Sequence, residues 1–233
     1  MTSVYAPNPN SYTQVDVSER AAFISRTYAH LLGAVLSFIA IEVYLFQNGY
    51  ALEISQALMQ NWMITLGGFI LLGWVGSSYA ARAESTFAQY FGLTLYVVAE
   101  AIIFVPLLYI ADGMGGGLIE SAAQISIIGF LGLSAVVFVT RKDFSFMRAF
   151  LMWAGIVALL VIFGALAFGL KLGVWFSIGM IALAGGSILY DTSNILHHYP
   201  TDRHVGAALQ LFASVALLFW YVLRLLISLQ SSD

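Results

Sequence analysis

Leu172–Leu196, LGVWFSIGMIALAGGSILYDTSNIL, decides how this chain is read. The stretch is long and apolar enough to cross a bilayer as a helix, and Asp191 is its one ionisable residue. A carboxylate inside such a helix costs roughly 2.5–3.5 kcal/mol on insertion scales. It needs a water-filled cavity or a partner, which makes Asp191 a functional candidate.

The surrounding chain has the same character. Of 233 residues, 61% are hydrophobic and 9% are charged, and the mean hydropathy is +0.89. A soluble domain carries about 25% charge, so the composition describes a polytopic membrane protein. Cysteine is absent, which excludes disulfides and thiolate chemistry. The net charge of −3 and the lack of a basic cluster give no sign of a nucleic-acid partner; the expected surroundings are the lipid bilayer. Residues 1–20 are polar, with Pro7 and Pro9 among Asn, Ser and Thr. They read as a disordered cytoplasmic tail and not as a signal peptide.

Residues 21–230 form one transmembrane domain of seven apolar stretches: Ala22–Phe46, Trp62–Ala81, Phe87–Ala111, Ala122–Val139, Ala149–Leu170, Leu172–Leu196 and Val205–Leu229. The bilayer core cannot solvate open backbone groups, so each is expected to be a helix, making the fold class all-α with seven transmembrane helices. Only Gly169, Lys171 and Gly173 punctuate the fifth and sixth stretches. If odd-numbered spans leave the cytoplasm, Arg20, Arg26, Arg82, Arg141, Lys142, Arg148 and Arg203 fall inside, and only Lys171 and Arg224 outside. That bias predicts a cytoplasmic N-terminus and an external C-terminus.

Polar residues at membrane depth are the other candidates. Glu100 lies near the middle of the third stretch and cannot easily reach either surface, so it is either protonated or lines a polar cavity. Glu42, near the outer end of the first, is expected to snorkel to the interface. His30 reads as a hydrogen-bonded packing residue, and His197, His198 and His204 as interfacial histidines about a Pro-containing loop. Pro106 is expected to kink its helix and free a carbonyl near Ile102. Enzyme readings fail. Tyr190-Asp191 looks like half of an intramembrane aspartyl protease motif, but no acid follows Gly206 on the next helix. The two lysines, Lys142 and Lys171, lie at loops, where a retinal Schiff base is not expected.

Three segments in order resemble one family. They are Arg26–Gly33 (RTYAHLLG), Thr140–Phe146 (TRKDFSF) and Ile188–Ile195 (ILYDTSNI). Together they are similar to the Bax inhibitor-1 family, also called the transmembrane BAX inhibitor motif family, over about residues 20–230. The resemblance implies six helices around a central seventh. It also implies a pH-sensitive calcium leak gated by two aspartates, on helices six and seven, with calcium as the transported ion and no cofactor. Asp191 matches the helix-six aspartate and is the best candidate calcium ligand. Arg82 matches a basic residue that latches the pair. The helix-seven position is Ser214, and no acid occurs from Val205 to Leu229. An Asp facing a Ser cannot share a proton as two carboxylates do. The chain therefore resembles a bacterial inner-membrane subgroup with Ser at that position, some of which are thought to modulate a membrane-anchored AAA protease.

Two functions are expected on these grounds. One is a calcium or cation leak with Asp191 and Glu100 along the path and with Arg82 and Ser214 tuning Asp191. The other is a non-conducting regulator of a membrane protease.

Overall fold

The computed structural model describes residues 9–82 and 85–231, with residues 9–16, 69, 73, 74 and 76–82 by backbone alone. Eight helices follow in order among them: α1 (Pro9–Gln47), α2 (Tyr50–Gln60), α3 (Trp62–Arg82), α4 (Thr86–Met114), α5 (Leu118–Thr140), α6 (Met147–Phe168), α7 (Val174–His197) and α8 (His204–Gln230). There is no strand among the described residues. Among the described residues, six helices are long and apolar enough to cross a membrane: α4 to α8, and α1 over Val17–Gln47. The remaining apolar stretch is occupied by α3.

Two helical bounds differ from the sequence expectation. The first helix begins at Pro9, so it runs through part of the stretch expected to be an irregular tail; residues 1–8 lie outside the described residues. Proline is well suited to a first helical position, and neither Gly nor Pro interrupts residues 10–20. The second difference is α2, which the sequence did not announce. At 11 residues it is too short to span, and Glu53, Gln56 and Gln60 break its apolar pattern. It turns back after Gly49, whose φ of 78° suits glycine, and packs against α1 and α4.

Glu42 is corrected by the same packing. It was expected to snorkel outward, yet it is buried, and neither carboxylate oxygen has a hydrogen-bond partner in the protein. With α2 folded back beside α1 and α4, that end of the bundle is covered. Pro106 does not end α4, which runs through it. The break between the fifth and sixth stretches is real: Gly169 ends α6 with φ 66°, and Gly173 precedes α7.

Packing centres on α8, which lies against α1, α3, α4, α5 and α7. Lipid tails are as apolar as the side chains, so helix association depends on close fit rather than on escape from water. Small residues supply the fit where Gly206, Ala207 and Ala208 of α8 and Ala184 of α7 are buried. An aromatic set fills the wider side. Phe104 stacks on Phe219 with ring centroids 5.6 Å apart, and meets Trp220 edge-on at 4.8 Å and Phe38 at 5.1 Å.

Two of the segments that carry the family resemblance hold each other. Ser193 Oγ accepts the Phe144 backbone N–H at 2.9 Å, and Asp143 Oδ1 accepts that of Ser145 at 2.8 Å. His198 Nε2 meets Asp143 Oδ2 at 2.7 Å. The α5–α6 and α7–α8 loops therefore lie on one side of the bundle. On the same side, Arg20 Nη1 donates to the carbonyl of Tyr199 at 2.5 Å. The opposite side carries the α6–α7 loop, where Arg224 Nη2 donates to the carbonyl of Leu172 at 3.1 Å.

Two predictions follow the packing. A Cβ on Gly186 would lie 3.1 Å from Leu151 Cδ2 and 3.2 Å from Met147 Cε, both flexible ends. Gly186→Ala should be nearly neutral, whereas Gly186→Leu should overpack the α6–α7 contact and cost about 1–3 kcal/mol, read as thermal stability in detergent. The Ser145 N–H, and after it the His198 ring, hold the Asp143 carboxyl down at about 2. Its stabilising share is complete above the ordinary value of 3.8 and is lost as pH falls through about 2. Carboxyl-carbon NMR of Asp143 should show that low midpoint in the wild type, and a return toward 3.8 in Ser193→Ala if the loop loosens.

Candidate functional site

Asp191 stands on α7 and Ser214 on α8, and the two helices meet there. Ser214 Oγ donates to Asp191 Oδ2 at 2.6 Å, with both residues buried, at 7% and 8% exposure. That length is in the charge-assisted range for a hydroxyl on a carboxylate. The serine and the aspartate thus form a donor–acceptor pair between the two helices.

Two clefts approach this pair from opposite ends of the bundle. The first has a volume of about 840 Å³ and is lined by Asp191, Asn194, Arg148, Gln210 and Tyr190 among others, on the side of the α5–α6 and α7–α8 loops. The second, of about 930 Å³, is lined by Glu100, Pro106 and many apolar side chains, and reaches Lys171 and Arg224 on the other side. Tyr96, Ala213 and Ser214 line both. The clefts adjoin at these three residues, with Asp191 lining the first and Glu100 the second.

Asp191, Ser214 and Glu100 are therefore brought to one region, while the two carboxylates face different clefts. Arg82 is the last residue of α3, and its side chain lies outside the described residues. Among the described residues, Arg148 is the cation that lines the Asp191 cleft. The field of Asp191 is felt in the adjoining loop. Burial first, then the Asp191 charge, pushes the Tyr199 phenol up to about 12, against the opposing Arg203 guanidinium.

Tyr96 went unnoticed in the sequence. It lies four residues before Glu100 on α4, so both share a helix face, and that spacing was the available signal. Arg148 and Gln210 had no such signal, because the tertiary fold alone brings them to the Asp191 cleft. His30 is hydrogen-bonded: Nδ1–H donates to the Arg26 carbonyl at 2.7 Å, and in the neutral ring Tyr90 OH donates to Nε2 at 2.6 Å. Its ring packs edge-on against His204, with centroids 4.9 Å apart. Among the described residues no three His, Asp or Glu side chains converge as a metal site. Calcium takes six to eight oxygen ligands, so what Asp191 and Glu100 offer is a polar lining rather than a coordination cage.

Known proteins add to this geometry. A family model described as Inhibitor of apoptosis-promoting Bax1 matches residues 20–232. An uncharacterized protein of Pseudomonas aeruginosa is 29% identical over 215 residues, 89% of each chain. Bax inhibitor 1 of Schizosaccharomyces pombe is 27% identical over 229 residues, 93% of this chain and 80% of that one. The Modulator of FtsH protease YccA of Escherichia coli is 35% identical over 122 residues, which is 51% of this chain and 53% of that protein. A YccA from a second Escherichia coli strain, with the same match, is named as an inner membrane protein. With its family match running from residue 20 to residue 232, this multi-pass membrane protein belongs to the Bax inhibitor-1 family.

Proposed function

We propose that the protein is a cation leak, with calcium as its cargo, held closed where the two clefts adjoin. The observation that carries this reading is the pair of adjoining clefts, one lined by Asp191 and the other by Glu100, with Tyr96, Ala213 and Ser214 lining both. Each cleft offers a cation one carboxylate at membrane depth, and the three shared residues block passage between them. Ser214 holds Asp191 by its hydrogen bond, and the resemblance assigns Arg82 the role of a latch. No catalytic step and no cofactor is needed.

The membrane arrangement belongs to the same proposal. Seven helices, α1 and α3 to α8, span the bilayer, with six around a central α8. The N-terminus is cytoplasmic and the C-terminus external, in a bacterial inner membrane. The contacts of α8 with five other helices support the central placement, and the concentration of basic residues on one side supports the orientation. Ser214, with no acid from Val205 to Leu229, supports a place in the subgroup lacking the second aspartate.

Calcium flux into proteoliposomes tests the leak. Asp191→Ala and Glu100→Ala should each lower flux by roughly tenfold, the factor that 1.4 kcal/mol of lost cation stabilisation produces. A robust flux unchanged in both variants would overturn the mechanism.

A second reading rests on the similarity to the Modulator of FtsH protease YccA. In it the protein conducts nothing and modulates a membrane-anchored protease, with its N-terminal residues as the handle. Removing residues 1–16 spares Arg20 and its bond to the Tyr199 carbonyl, so the bundle should stay folded. Protease turnover measured with the shortened chain should then lose its response; a full response would count against this version.

A further inference from the structure

Of nine basic residues, seven fall on the side inferred to be cytoplasmic, and the two exceptions meet at one place. Lys171 is in the α6–α7 loop and Arg224 is in the last third of α8, and both line the mouth of the second cleft. They are close neighbours, because Arg224 Nη2 donates to the carbonyl of Leu172, the residue after Lys171. Among the described residues neither has a carboxylate within salt-bridge distance. Arg224 has five N–H donors in all and Lys171 has three. Among the described residues, the mouth therefore carries two cations with no carboxylate paired to either.

Behind the mouth the cleft is apolar. It runs between α3 and α6, with Leu66 on one flank, Ala158, Ile162 and Ala165 on the other, and Ile103 and Leu107 of α4 at its back. These helices do not close over it: α6 packs on α7, and α3 on α4 and α8. A volume of about 930 Å³ is within the ~300–1,000 Å³ range of ligand clefts. The site thus has an anion-seeking end at the level of one membrane interface and an apolar groove leading inward from it.

We propose that this cleft binds a single anionic phospholipid, with the phosphate at Lys171 and Arg224 and one acyl chain in the groove between α3 and α6. An acyl chain gains no hydrophobic driving force by leaving bilayer for groove, so selection rests on the headgroup. Basic pockets between transmembrane helices recognise phosphate headgroups in this way. The chain would cover Glu100 from the bilayer side and so close the outer half of the pathway proposed above. Binding is measured without flux, so the two ideas fail separately.

The test is native mass spectrometry of the full-length protein in detergent, titrated with phosphatidylglycerol or phosphatidylcholine. The wild type should retain one phosphatidylglycerol in preference to phosphatidylcholine. Lys171→Gln leaves the Arg224–Leu172 bond intact and should weaken phosphatidylglycerol retention about fivefold; adding Arg224→Gln should weaken it by about as much again. Ala158→Phe keeps both cations and fills the groove, and should abolish retention of either lipid. Equal retention of the two lipids by the wild type, or retention unchanged in Lys171→Gln and Ala158→Phe, would overturn the proposal. Displacement of the lipid by an equal concentration of inorganic phosphate would overturn it as well, by showing a site for a free anion.

Discussion

A carboxylate inside a helix bundle is costly unless a donor meets it, and at Asp191 the donor is the hydroxyl of Ser214. The bond joins α7 to α8 between two buried residues. Small buried residues on both helices let the backbones approach closely enough for a short serine side chain to reach. Tyr96 and Ala213 lie beside the pair, and with Ser214 they line both clefts. Close packing and polar satisfaction are thus one constraint here: loosening the α7–α8 contact would both strand the aspartate and join the clefts.

The residues that mark the family divide by role. Ser193 joins α7 to the Lys142–Phe144 loop, while Asp143 caps that loop and meets His198. Thr27 Oγ1 returns a bond to the Phe23 carbonyl within α1. These groups hold helix ends and loops in register. Asp191, in the same short segment as Thr192 and Ser193, instead turns to α8 and a cleft.

The two ends of the bundle are chemically unlike. The side of the α5–α6 and α7–α8 loops is rich in basic residues, histidines and loop hydrogen bonds, and its cleft is lined by Arg148, Asn194 and Gln210. The other side has a largely apolar cleft with two cations at its mouth. A polar cleft admits water and ions readily, whereas an apolar one bordered by charge suits an amphiphile.

The sequence by itself determined the elements. Long apolar runs leave a membrane chain no option but helices, so seven of the eight helices lie on the predicted stretches, and Asp191 and Glu100 stood out because charge is so costly there. Ser214 was legible through the family resemblance, which puts it at the helix-seven position. Tertiary structure alone decided what those residues face. Lipid is as apolar as the helix faces, so hydropathy does not reveal which face turns inward, and α2, the burial of Glu42 and the two adjoining clefts left no periodic trace. The meeting of Lys171 with Arg224 was equally hidden. The two lie 53 positions apart in the sequence, and only the return of α8 beside the α6–α7 loop brings them together.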